Sequence, residues 1–185
     1  MPIQRLHATW FFAPPDSDAG LDPERLRAAN GSASVFEQVT DGSGALILGS
    51  EATPEIGAIG ERKGAEFALR SVDPRTADPA FDESPFLLAV RLFVPEPDRG
   101  EVRCWLDEEH SAFQLRVPGT HWYLGYEEVG GARSFLNLWG LADASVIEST
   151  AWAEARDTPW RARLLDAFEH QDRAVYRPVQ SEVFH

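Results

Sequence analysis

From residue 86 onward the chain falls into short apolar runs separated by turn residues. Five runs of strand length stand at 86–94, 101–106, 112–117, 121–128 and 134–139, linked by PEPDRG, DEEHS, PGT and VGGAR. Short links of this composition between such runs are hairpin connections, so the pattern predicts an antiparallel meander. Side chains alternate faces along a strand, and cross-strand neighbours share a face. One choice of register makes a single face wholly apolar: Val90, Leu92 and Val94, then Val102, Cys104 and Leu106, then Phe113, Leu115 and Val117, then Trp122, Leu124 and Tyr126, then Leu136 and Leu138. A slip of one residue in any strand would turn its polar residues to that face. The opposite face then carries Arg91, Arg103, Gln114, Arg116, His121, Tyr123 and Asn137, interleaved with Phe93, Trp105, Phe135 and Trp139.

The flanking regions add further elements. Residues 3–12 end in TWFF and read as a strand. LDPERLRAANG has helix punctuation: Asp22 as N-cap, Pro23 at the first helical position and Gly31 just past the end. SVFEQV and ALILG flank TDGSG, a hairpin signal. TPEIGAIG reads as a helical turn behind Thr53, AEFALRSV as a strand, and residues 73–85 as a long loop or flap. After the meander a helix is predicted over 143–155. A second begins at Thr158 as cap and Pro159, with Trp160, Leu164 and Phe168 on one face. The tail AVYRPV reads as a late strand. Neither an internal repeat nor a linker is visible, so residues 1–185 read as one domain. The predicted class is α+β: an antiparallel meander sheet of about seven to nine strands, strongly bent or partly closed to manage its edges. A short N-terminal helix and two C-terminal helices accompany it.

A chain of 185 residues with 43% hydrophobic residues and six tryptophans can bury one sizeable core. Its formal net charge of −13 argues against nucleic acid and anionic membranes as partners. The N-terminus lacks a signal-peptide pattern, and no apolar run reaches the length of a membrane span, so a cytoplasmic location is expected. Cys104 is the one cysteine, which excludes an intrachain disulfide. Arginine outnumbers lysine sixteen to one (Lys63), a bias that suggests a GC-rich, bacterial-type coding sequence. No nucleotide-binding, nucleophile-elbow or zinc-protease motif occurs, and no cofactor is expected.

Two constellations bear on function. Arg91, Arg103 and Arg116 on one face reverse the overall charge locally, and guanidinium groups bind carboxylates and phosphates. With Trp105, Gln114, Asn137 and Trp139 they read as a site for an anionic, partly apolar ligand, with His121 and Tyr123 as candidates for proton transfer. The competing reading pairs the same arginines with acids and uses the rings to cover their stems. The second constellation is acidic. Asp107, Glu108 and Glu109 in DEEH would lie at one pole with Glu127, Glu128, Asp82 and Glu83, and with Arg133 as a counterweight. Metal ligands must converge on one point, whereas acids in one loop splay into water, so DEEH reads as a solvated hairpin turn and no metal is expected. Two functions follow: a small-molecule-binding protein, enzymes included, or an acidic module docking a basic partner, as an inhibitor or immunity protein for a nuclease would. A cavity on the arginine face separates them.

Overall fold

Eight strands close into an antiparallel barrel in a computed structural model that describes residues 5–12, 33–39, 44–49, 61–72, 84–130 and 134–179. They are β1 (Arg5–Phe12), β2 (Ser34–Gln38), β3 (Gly44–Gly49), β4 (Glu61–Val72), β5 (Phe86–Phe93), β6 (Thr120–Glu128), β7 (Ser134–Leu141) and β8 (His170–Pro178). The order around the barrel is β1-β3-β2-β8-β5-β7-β6-β4, with β4 pairing back onto β1. Closure removes the edges that a bent open sheet would leave unpaired. The predicted α+β class with an antiparallel sheet holds. The sheet is closed rather than partly closed, and it is not a meander.

Read from β4, the order is β4-β1-β3-β2 and then β8-β5-β7-β6. The two halves repeat one arrangement, in which β5 to β8 take the places of β1 to β4. The second half is a β-helix-β-β-helix-β unit, the split βαβ arrangement. The repeat is invisible in the sequence because pairing order, not residue identity, is what recurs. The predicted helix at 22–31, the turn behind Thr53 and most of the 73–85 loop lie outside the described residues.

The largest departure from expectation lies between β5 and β6. The residues predicted as a strand at 101–106, and the first three of those at 112–117, lie in one helical segment: a 3₁₀ turn (Glu96–Asp98), α1 (Arg99–Trp105), a π-helical turn (Leu106–His110) and α2 (Ser111–Gln114), with turns over 115–117. Val102, Cys104 and Leu106 satisfy a period of two, but the buried set is Val102, Trp105, Leu106, Ser111 and Gln114. That spacing belongs to a helix face. The start signal is Pro97 in the first turn, with Glu96 and Asp98 beside it where acids favour a helix N-terminus. DEEH is therefore helical, not a hairpin turn.

After β7 come a 3₁₀ turn (Ala144–Glu148), α3 (Thr150–Arg156), α4 (Pro159–Leu164) and a 3₁₀ turn (Leu165–Ala167). Thr158 caps α4 as predicted, its Oγ1 accepting from Arg161 N at 3.1 Å. Leu164 is buried, while Trp160 and Phe168 are partly buried at the same interface.

Two apolar layers result. Trp122, Leu124, Tyr126, Leu136 and Leu138 fill the barrel interior with Leu6, Ala8, Phe36, Leu46 and Phe67 from the first half. Val90, Leu92, Phe135 and Trp139 face outward and are covered by Val102, Trp105, Leu106, Trp152 and Leu164 from the helices. The predicted faces of β6 and β7 are thus correct, and β5 is inverted relative to them. Val90 pairs directly with Asn137 and shares its outward face. Parity counted through 101–106 and 112–117 fails because those residues are helix and turn, not strand.

Candidate functional site

Between the outer face of the second half-sheet and its helices lies a cavity, partly open to solvent, whose enclosed part measures about 80 Å³. Its floor is Leu88, Val90 and Leu92 of β5 with Asn137 and Trp139 of β7. Trp105, His110 and Trp152 form the helical wall, and Arg156, Arg161, Phe168, Gln171 and Arg173 form the remainder. The π turn sets the wall. A wider turn brings His110 back onto the same face as Trp105, and their rings stack at 4.4 Å with 29° between planes. His110 also meets the edge of Trp139 at 5.7 Å, and Trp139 packs on Tyr123 at 5.2 Å.

Four polar atoms of these lining residues are buried without a hydrogen-bond partner among the described residues: Trp105 Nε1, His110 Nδ1, Asn137 Nδ2 and Trp139 Nε1. Buried polar groups are nearly always satisfied, so these four are groups that a ligand in the cavity could satisfy. Asn137 is held from behind. Its Oδ1 accepts from Tyr123 OH at 2.8 Å and from Arg70 Nη2 at 3.1 Å, which leaves the NH₂ as its unpaired end. Burial, followed by the charges of Arg161, Arg70 and Arg156, lowers the His110 pKa to about 3, so the ring is a neutral hydrogen-bonding group. Burial raises the Tyr123 pKa, and the neighbouring Arg70 offsets only part of that.

The positive charge of the site comes from the rim. Arg156 and Arg161 share one carboxylate, Asp157, at 2.7 and 3.2 Å. Arg173 has no ion pair among the described residues, and its pKa is lowered by burial and then by the charges of Arg156 and Arg161. Three guanidinium groups set against one carboxylate repel one another, and an anion placed among them would relieve that repulsion.

Of the residues read from the sequence, the structure brings Trp105, Tyr123, Asn137 and Trp139 together. It disperses the rest. Arg91 points into the barrel, where it pairs with Glu128 at 2.9 Å and stacks on Trp10 at 5.1 Å, because β5 has the opposite parity from the expected one. Arg103 lies on α1 and pairs with Glu127 at 2.7 Å. Arg116 is exposed beyond α2, over the Phe113 ring at 5.6 Å. Gln114 is fully buried in α2 and does not line the cavity. His121 is exposed at the start of β6, with Nδ1 3.2 Å from Ser84 Oγ. The three arginines therefore do not share one face, and neither they nor His121 line this cavity.

The acidic pole dissolves as well. Asp107 pairs with Arg70, Glu109 accepts from Thr158, Glu127 from Arg99 and Arg103, and Glu128 from Arg91 and Ser134. Burial alone would raise the Glu127 pKa, but the hydrogen bonds from Arg99 and Arg103 outweigh it and hold the carboxyl below its ordinary value. Among Asp107, Glu108, Glu109, Glu127 and Glu128, Glu108 alone is exposed, and Asp82 and Glu83 lie outside the described residues.

Sequence reasoning sets His110 aside as part of a solvated turn, and misses Arg70, Trp152, Arg156, Arg161, Phe168 and Arg173 as site residues. The arginines carried one available signal. Arg156, Arg161 and Arg173 cluster in the last thirty residues beside the predicted helices, yet nothing local shows that they converge.

A closed eight-stranded barrel whose two halves repeat one strand order, with helices packed on the outer face of the second half, is the class this fold defines. Solved structures share it. An anthrone oxidase-like protein superposes with a TM-score of 0.68 at 12% identity, over 96% of this chain and 92% of that one. A putative monooxygenase from Fusobacterium nucleatum gives 0.61 at 10% identity, over 95% and 92%. A protein described as a major regulator of staphylococcal pathogenesis gives 0.60 at 14% identity, over 95% and 99%. At these identities the likeness is one of fold. No family model matches the chain, and a comparison with curated proteins found no match.

Proposed function

We propose that this chain binds an anionic, largely aromatic small molecule in the cavity between β5, β7 and the helices, and that it is an enzyme acting on that molecule. The observation that carries the reading is the set of four unpartnered polar atoms, Trp105 Nε1, His110 Nδ1, Asn137 Nδ2 and Trp139 Nε1, in a wall otherwise built of rings and aliphatic groups. Aromatic faces hold a planar body, convergent N–H groups hold its oxygens, and Arg156, Arg161 and Arg173 hold its charge. Fixed donors in a dry wall also suit the stabilisation of negative charge that develops on an oxygen during reaction.

The fold serves oxidase-like and monooxygenase-like proteins and a regulator alike, so fold alone does not choose between them. The cavity and its donors favour the enzymatic members, and an oxygenase is the reaction class we infer. The reading as an acidic docking module finds no support, since four of its five acids are engaged within the chain.

Thermal shift and calorimetry with 2-naphthoate and its neutral amide test this reading. The acid is expected to raise the melting temperature and the amide to do so far less. Arg173→Ala should weaken the acid about tenfold or more, the loss of one charge-assisted contact. Equal binding of acid and amide, or none of either, would refute it.

A further inference from the structure

Arg70 belongs to the first half of the barrel, yet its side chain is buried among residues of the second half. Three features place it there. First, β4 carries a bulge: Leu69 pairs with Tyr126 and Ser71 with Gly125, so Arg70 is the extra residue between them. Bulges re-aim a side chain and recur beside active sites. Second, Gly125 clears its path. A Cβ at that position would stand 3.1 Å from Arg70 Cζ and collide with Arg70 Nη2 and Tyr123 Oη, so another side chain there would push the guanidinium aside. Third, the guanidinium is engaged on several sides. It donates to Tyr123 OH at 2.8 Å and to Asn137 Oδ1 at 3.1 Å, pairs with Asp107 of the π turn, and lies 5.6 Å over the Phe135 ring.

We propose that Arg70 is a positioning residue for the cavity. It locks the Asn137 amide with its NH₂ as the free end, and it ties the π turn that carries His110 to the sheet. This rests on the reading of the cavity as a ligand site. Without Arg70, Asn137 Oδ1 keeps one donor, Tyr123 OH, and the amide is free to turn over, presenting an acceptor where the ligand requires a donor. Arg70 touches no ligand directly in this arrangement. Its effect passes through Asn137 and through Asp107.

The test exploits a feature of the composition. The chain has two asparagines, Asn30 and Asn137, so protein labelled with ¹⁵N at asparagine shows two side-chain amide pairs, and Asn137→Asp identifies one of them. In the ligand-free wild type the Asn137 pair should be shifted from free-amide positions and slow to exchange. In Arg70→Met it should move toward free-amide positions. Affinity for 2-naphthoate should fall about ten- to a hundredfold, as with other residues that orient a binding group from behind. Gly125→Ala should do the same with Arg70 still present, and Tyr123→Phe should produce a smaller shift of the same amide. These two variants keep the question answerable if Arg70→Met does not fold. A merely structural arginine would alter the melting temperature and leave the amide where it was. An Asn137 pair unmoved in folded Arg70→Met and Gly125→Ala overturns the proposal, as does a moved amide with unchanged affinity. If the wild type takes up no 2-naphthoate, the ligand reading fails, and the amide signals still decide whether Arg70 orients Asn137.

Discussion

Replacing His110 by phenylalanine isolates one buried titration. The phenyl ring keeps the stack on Trp105 and the edge contact with Trp139, and it removes the unpartnered Nδ1. In the folded chain the His110 pKa is lowered to about 3 from an ordinary value of 6.5. A lowered histidine pKa means that the unfolded chain takes up the proton first as pH falls. Stability is therefore fully present above pH 6.5 and is lost on acidification until the folded pKa is reached. Each pH unit in that window is worth about 1.4 kcal/mol. The cost is about 1 kcal/mol at pH 6 and about 2 kcal/mol at pH 5, relative to pH 8. Contributions common to both proteins cancel in the difference. Urea denaturation of wild type and His110→Phe at pH 8, 6 and 5 gives that difference directly. The variant should gain on the wild type by about 2 kcal/mol between pH 8 and pH 5. Stability curves that stay parallel across this range would show that His110 titrates normally, which would remove the neutral imidazole from the site.

Two further outcomes test the packing. Leu164→Ala should cost about 2–5 kcal/mol because Leu164 is buried in the outer layer, whereas Phe168→Ala should cost less because that ring is partly exposed at the cavity; a denaturant midpoint lower for Phe168→Ala would refute this order. Thr158→Ala removes the cap on α4 and the hydroxyl donor to Glu109, and should destabilise by about 1–2 kcal/mol, with Thr158→Ser recovering most of the loss in the same assay.

What the sequence determined by itself was local. Alternation over 121–128 and 134–139 sorted Trp122, Leu124 and Leu136 from Tyr123, Asn137 and Trp139 correctly, because the period of two is built into each strand and turn geometry couples adjacent strands. The Thr158–Pro159 pair announced α4 because a cap acts within one turn. Tertiary structure decided what depends on partners distant in the chain. Residues 101–117 satisfy both a strand and a helix period over short windows, and burial of Trp105 against the outer sheet face selects the helix. The parity of β5 is set by its hydrogen bonds to β7 and β8, which no intervening residue encodes. The site follows the same rule. Asn137 and Trp139 were visible as an outward pair on one strand. Arg70, His110 and Arg173 come from β4, the π turn and β8, and only closure of the barrel and docking of the helices bring their side chains to one place.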